Sequence, residues 1–143
     1  MRNLQRDLLI GSILLACASI GLVWALPATA AGDTQRVTVM NVIAGAPSEF
    51  KFSLRFPGKP GALPIGSVLF KVRNAGSFPH TFKVCSTPGA ANANSCAGKS
   101  TASIAPGKTA SLSVTFMKKG TYEYLCRLPG HAANGMKGPL HVG

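Results

Sequence analysis

After Gly32, apolar residues recur at every second position along much of the chain, the periodicity of strands with one buried face. Val37, Val39, Asn41 and Ile43 mark a first strand, and Phe50, Phe52 and Leu54 a second. Val68, Phe70 and Val72 mark a third, and Leu112, Val114 and Phe116 a fourth. The runs 78–84 and 121–126, with a last one around 139–142, bring the number to about seven. Between them lie turn-forming clusters: Pro57-Gly58-Lys59-Pro60-Gly61, Asn74-Ala75-Gly76-Ser77 and Ala105-Pro106-Gly107-Lys108. Short strands at this spacing predict an all-β fold, an antiparallel sandwich of about seven to eight strands. Residues 86–105, polar and small, are expected to form a long loop.

The beginning of the chain breaks the pattern. Arg2 and Arg6, partly offset by Asp7, precede an apolar or small stretch over 8–31, and Ala28-Thr29-Ala30 offers the small residues an export peptidase reads. A signal peptide over 1–30, forming an apolar leader helix, and one functional domain over 31–143 are expected. An uncleaved anchor is the alternative, since such a helix could cross a hydrocarbon core of about 30 Å with Trp24 at the far interface. Leu14-Leu15-Ala16-Cys17 also has the form of a lipoprotein site, although the residues after Cys17 stay apolar. All three readings put the domain in a periplasmic or other extracytoplasmic space, secreted or held on the outer face of the membrane through residues 8–31.

Charge narrows the partners. Residues 1–30 hold two arginines and one aspartate, so the remainder carries thirteen basic residues against Asp33, Glu49 and Glu123, a formal +10. Such a field attracts an acidic protein or an anionic surface, and it also serves simple solubility. Nucleic acid is a poor fit, because the lysines are scattered and no aromatic residues interleave with them as a stacking platform.

The chemistry sits near the C-terminus, in Tyr124-Leu125-Cys126-Arg127-Leu128-Pro129-Gly130-His131-Ala132-Ala133-Asn134-Gly135-Met136. In a continuous strand Cys126 and His131 would stand about 17 Å apart, too far to share an ion. Pro129-Gly130 supplies the necessary turn, and Asn134-Gly135 folds Met136 back toward the same point. One loop thereby offers a thiolate, an imidazole and a thioether. His80, at the start of the 78–84 strand, is the natural second imidazole. Two imidazoles, a thiolate and a weak axial thioether suit a redox-active copper ion, whereas structural zinc favours more thiolates. His141, in the final strand, is read as packing or surface. Tyr122 and Tyr124 share parity with Cys126 and are expected to line the core beneath it.

A histidine followed far downstream by Cys, His and Met in one loop resembles the cupredoxins, the blue-copper proteins with a Greek-key β-sandwich. Four residues separate Cys126 from His131, and four separate His131 from Met136. That spacing is similar to the rusticyanin, auracyanin and sulfocyanin branch, whereas plastocyanin has a shorter first gap and azurin a shorter second. The resemblance implies a single type 1 copper on His80, Cys126, His131 and Met136, and electron transfer as the function. It departs from many members in placing Thr81, not Asn, after the first histidine.

Cys85 and Cys96 are expected to pair as a disulfide, which export permits. The function expected is one-electron shuttling by a monomer through His131. Its transient partner is expected to be acidic, a cytochrome or membrane oxidoreductase, docking on an apolar rim of Leu128, Pro129, Gly130, Ala132 and Ala133 flanked by Arg127 and Lys137. A copper carrier without electron transfer is the alternative, although the repeated Met or His runs that suit it are missing. A copper enzyme of the nitrite reductase kind needs histidines for a second copper, and only His141 is left over.

Overall fold

The computed structural model describes residues 36–56, 61–89 and 92–143. The leader and the boundary after residue 30 lie outside the described residues. Eight strands occur in the order β1 Thr38–Ala44, β2 Phe52–Arg55, β3 Gly66–Asn74, β4 Lys83–Cys85, β5 Gly98–Ser100, β6 Thr109–Phe116, β7 Gly120–Leu125 and β8 Lys137–Val142. They form two four-stranded sheets, ordered β2-β1-β3-β6 and β5-β4-β7-β8. The chain passes between the sheets from β3 to β4, from β5 to β6 and from β6 to β7, giving a Greek-key sandwich.

The alternation of β3 and β6 translates directly into burial. Val68, Phe70 and Val72 point inward opposite Val114, Leu112 and Ala110, while Leu69, Lys71 and Arg73 point outward. Phe82 joins the two sheets at the centre of the core. Its ring centroid is 5.2 Å from Phe52, 5.3 Å from Phe70 and 5.7 Å from Tyr124, on which it stacks. Full burial of a side chain of this size stabilises the fold by about 1.5–3 kcal/mol.

Five local expectations are corrected. β1 presents Met40, Val42 and Ala44 to the core, not Val37, Val39 and Ile43. Both of its faces carry apolar residues, so alternation alone does not choose between them. The choice comes from pairing with β3, where Met40 and Val42 stand beside the inward Phe70 and Val72. That pairing is parallel, so the first sheet is mixed and not purely antiparallel. Phe50 lies in the connection before β2 instead of in the strand, and the run 78–84 yields only the short β4, because Pro79 lacks the N–H a ladder needs. Finally, the segment 86–105 contains β5 and a bridge between Ile104 and His80.

The disulfide joins Cys85 to Cys96 and closes the connection that crosses the outside of the second sheet. Beneath it, Cys85, Leu125 and Ala132 form a small second core, and the Glu123 carboxylate accepts the Ala93 amide at 2.9 Å. β7 is therefore covered on both faces. Tyr122 and the half-buried Tyr124 occupy its inner side, as their shared parity with Cys126 requires.

Candidate metal centre

Cys126 comes directly after β7, and its position is tied to the loop beyond it. The Cys126 amide donates to the Met136 carbonyl at 2.9 Å, and the Met136 amide donates to the His131 carbonyl at 3.0 Å. Shorter-range bonds from His131 N to Leu128 O and from Asn134 N to Gly130 O complete the turns, with Gly130 at φ +79° and Gly135 at φ +94°. These left-handed conformations are the ones glycine adopts without a Cβ penalty. Backbone hydrogen bonding thus folds the eleven residues from Cys126 to Met136 so that the thiol, imidazole and thioether residues meet.

His80 arrives from the other side. Its amide and carbonyl exchange hydrogen bonds with Ile104 at 3.1 and 2.7 Å. The turn leading to it is pinned by the fully buried Asn74, whose Nδ2 donates to the carbonyls of Phe78 and Ile104, both at 2.8 Å, and whose Oδ1 accepts the Gly76 amide. Asn74 was visible in the sequence only as a turn residue. Its position at the inward parity of β3, where Val68, Phe70 and Val72 precede it, is the signal that marks it as buried.

The side chains converge. His80 Nδ1 and His131 Nδ1 are 3.2 Å apart, Cys126 Sγ is 3.5 Å from His131 Nδ1, and the three donor atoms all lie within 4.8 Å of one another. His80, Cys126 and Met136 are completely buried, and His131 is half-buried. Met136 shares the core cluster with Cys126. His141 stands apart on β8, hydrogen-bonded through Nδ1 to the Thr121 hydroxyl at 3.0 Å.

Protonation favours metal binding. A carboxylate accepts only, so in the 2.8 Å contact between His80 Nε2 and Glu49 Oε1 it is Nε2 that donates, which turns Nδ1 toward Cys126 and His131. Burial lowers the pKa of His131, with His80 adding to the effect and Glu49 opposing it, so its ring favours the neutral, ligating form. The Thr81 amide donates to Cys126 Sγ from 3.4 Å and fixes the direction of the sulfur. Thr81 Oγ1, 3.6 Å from the same sulfur, accepts the Arg127 amide at 2.9 Å and so links the two ligand segments.

The connection between β1 and β2 was not read from the sequence as part of the site, yet three consecutive residues of it reach the centre. Glu49 holds His80, Phe50 meets the His131 ring edge-on at 5.1 Å, and Lys51 Nζ approaches the Gly135 carbonyl at 3.4 Å. The amides of Ser77 and Phe78 donate to the Glu49 carboxylate and, with a smaller contribution from His80, hold its pKa below the usual value. No motif announces these residues. A strand-like parity at Phe50 conceals them.

Two imidazole nitrogens and a buried thiol facing one point, with a methionine in the same cluster, fit a copper ion better than a structural zinc. Comparison with known proteins agrees. The chain is similar to the auracyanin of Roseiflexus castenholzii, with 18% identity over 74% of this chain and 96% of that one and a TM-score of 0.55. It is similar also to auracyanin A, a "blue" copper protein of Chloroflexus aurantiacus, with 18% identity, 76% and 100% coverage and a TM-score of 0.55. Rusticyanin of Thiobacillus ferrooxidans shares 27% identity over 75% of this chain and 77% of its own, with a TM-score of 0.52. No curated protein sequence matches the chain. The family model of the copper binding proteins, plastocyanin/azurin family, matches residues 53–143, and the chain therefore belongs to that family, with a single type 1 copper as its cofactor.

Proposed function

We propose that the protein is an exported single-electron carrier whose copper is held by His80 Nδ1, Cys126 Sγ and His131 Nδ1, with the Met136 thioether as a weak fourth ligand. The convergence of the three donor atoms within 4.8 Å, in a pocket where only His131 is partly exposed, is the observation that carries this reading. The ion supplies a one-electron couple when bound. The chain supplies a fixed cage: Asn74, Glu49 and the hydrogen-bonded ligand loop hold the donors in place whichever oxidation state is present, and burial keeps water from adding to the coordination.

His131 is the proposed electron port. Leu128, Pro129, Gly130 and Ala133 surround it with half-buried or exposed, uncharged surface, while Ala132 turns inward against Leu125 and is not part of that rim. Phe78, 56% exposed and two residues before His80, extends the apolar surface of the chain in this segment. Arg127 is exposed beside the loop, whereas Lys137 is engaged with the Asn92 carbonyl and Asn94 Oδ1. A small apolar contact with basic surroundings suits weak, brief docking of an acidic redox protein, a cytochrome or a membrane oxidoreductase. Export rests on the leader and on the disulfide, which an oxidising compartment maintains. With His141 committed to Thr121, the described residues offer one metal centre, as a carrier needs, and a monomer suffices.

The test is a visible spectrum of the copper-loaded, oxidised protein followed by reductive titration. An intense thiolate-to-copper band, bleached by one electron per chain and missing in Cys126→Ser, is expected. A colourless copper complex would overturn the reading in favour of a carrier of copper alone.

A further inference from the structure

Among the described residues the chain has two carboxylates, and one of them stands directly behind a proposed ligand. Glu49 Oε1 lies 2.8 Å from His80 Nε2, on the opposite side of the ring from the Nδ1 that faces Cys126 and His131. The carboxylate is itself held by three backbone contacts, from Ser77 N at 3.1 and 2.9 Å and from Phe78 N at 3.0 Å. Its place is enforced sterically as well. A Cβ on Gly76 would stand 2.9 Å from both Glu49 Cδ and His80 Nε2, and a Cβ on Gly45 would strike the backbone of Gly76. Two glycines thus make room for a carboxylate–imidazole contact that any other residue there would disturb.

We propose that Glu49 is a positioning residue for the metal centre: it fixes the His80 ring with Nδ1 free, and its negative charge, acting through the imidazole, favours the oxidised ion over the reduced one. This rests on the electron-carrier reading for its redox consequence but not for its structural half. A carboxylate accepting the second ring N–H raises the basicity of a ligating histidine and fixes its orientation. Partial shielding strengthens the effect, since the Glu49 side chain is 23% exposed and the His80 side chain fully buried. An added negative charge near a site stabilises the higher-charged metal state, so the sign is determined: neutralising Glu49 shifts the couple toward reduced copper.

The experiment compares wild type with Glu49→Gln, which keeps the shape and one acceptor oxygen but removes the charge, and with Glu49→Asp, which keeps the charge but retracts it. In the copper-loaded protein the readout is the reduced-to-oxidised ratio at a fixed applied potential. Glu49→Gln is expected to raise that ratio about tenfold, an upward shift of roughly 59 mV for a one-electron couple, with Glu49→Asp intermediate. A ratio within about twofold of wild type in Glu49→Gln would show that the charge does not act on the metal. A merely structural residue would change the melting temperature without moving this ratio. In the metal-free full chain, nitrogen NMR of the His80 ring is expected to show the proton on Nε2; a proton on Nδ1 overturns the positioning role whether or not the copper-loaded protein is blue. Failure of the electron-carrier reading is seen separately, as a wild-type protein that binds copper without the visible band.

Discussion

At the scale of single residues, the centre depends on side chains whose main partners are backbone groups. Thr81 is one. Its hydroxyl accepts the Arg127 amide and its own amide faces the Cys126 sulfur, so the residue spans both ligand segments where many relatives of the family pattern carry Asn. Thr81→Val keeps the shape and the amide but leaves the Arg127 N–H without its acceptor. The expected cost is about 1 kcal/mol of unfolding free energy in denaturant titration, with the contact from the Thr81 amide to sulfur retained. An unchanged midpoint would mean that water replaces the hydroxyl at no cost. Gly76 makes a harder demand. Because an added methyl group collides with both Glu49 and His80, Gly76→Ala is expected to destabilise the protein by about 1–3 kcal/mol. The same substitution should lower copper affinity, measured by competition with a chelator, since neither partner can give way without disturbing the ligand.

At the scale of elements, what could be read from the sequence depends on how strongly one face of each element was specified. β6 alternates strictly between apolar and polar residues and β3 does so from Phe70 to Arg73, and both were legible, down to Phe70, Val72, Leu112 and Val114. β1 was legible as a strand but not in its facing, because Val37, Val39 and Ile43 compete with Met40, Val42 and Ala44, and only the neighbouring β3 decides. The ligand loop was legible because its turn residues and rare donors are local. Its supports were not: Glu49, Phe50 and Lys51 act across 28 to 84 residues of sequence, and no local pattern encodes such contacts. The disulfide lies between these cases, since its spacing was visible but its role was not. By closing the connection over Leu125 and Ala132, it backs the ligand loop from outside the sheet. Cys85→Ala combined with Cys96→Ala is expected to lose roughly 3 kcal/mol of stability, the chain-entropy value for a loop of this length. Equal denaturation midpoints for the double variant and the wild type would remove that contribution.

At the scale of the whole molecule, the charge is more one-sided than the formal balance suggests. Of the carboxylates in the described residues, Glu49 is occupied by His80 and two amides, and Glu123 is buried against Ala93. Arg36, Lys51, Arg55, Lys71, Arg73 and Arg127, by contrast, are exposed. Lys51 and Arg127 adjoin the ligand loop, so the outward field there is positive with little local compensation, and it acts on any charged reactant that approaches His131. Screening gives the field a measurable signature, because the Debye length shrinks from about 30 Å at 0.01 M to about 10 Å at 0.1 M salt. Reduction of the copper-loaded protein by a small anionic reductant is expected to slow as salt rises over this range. With a cationic reductant of similar driving force, the rate should rise instead, because the same screening then relieves repulsion. Opposite slopes for the two reagents identify the protein's charge as the cause and exclude a general effect of salt on the site. If both rates are flat in stopped-flow measurements, the basic surface serves solubility and the acidic partner loses its electrostatic support.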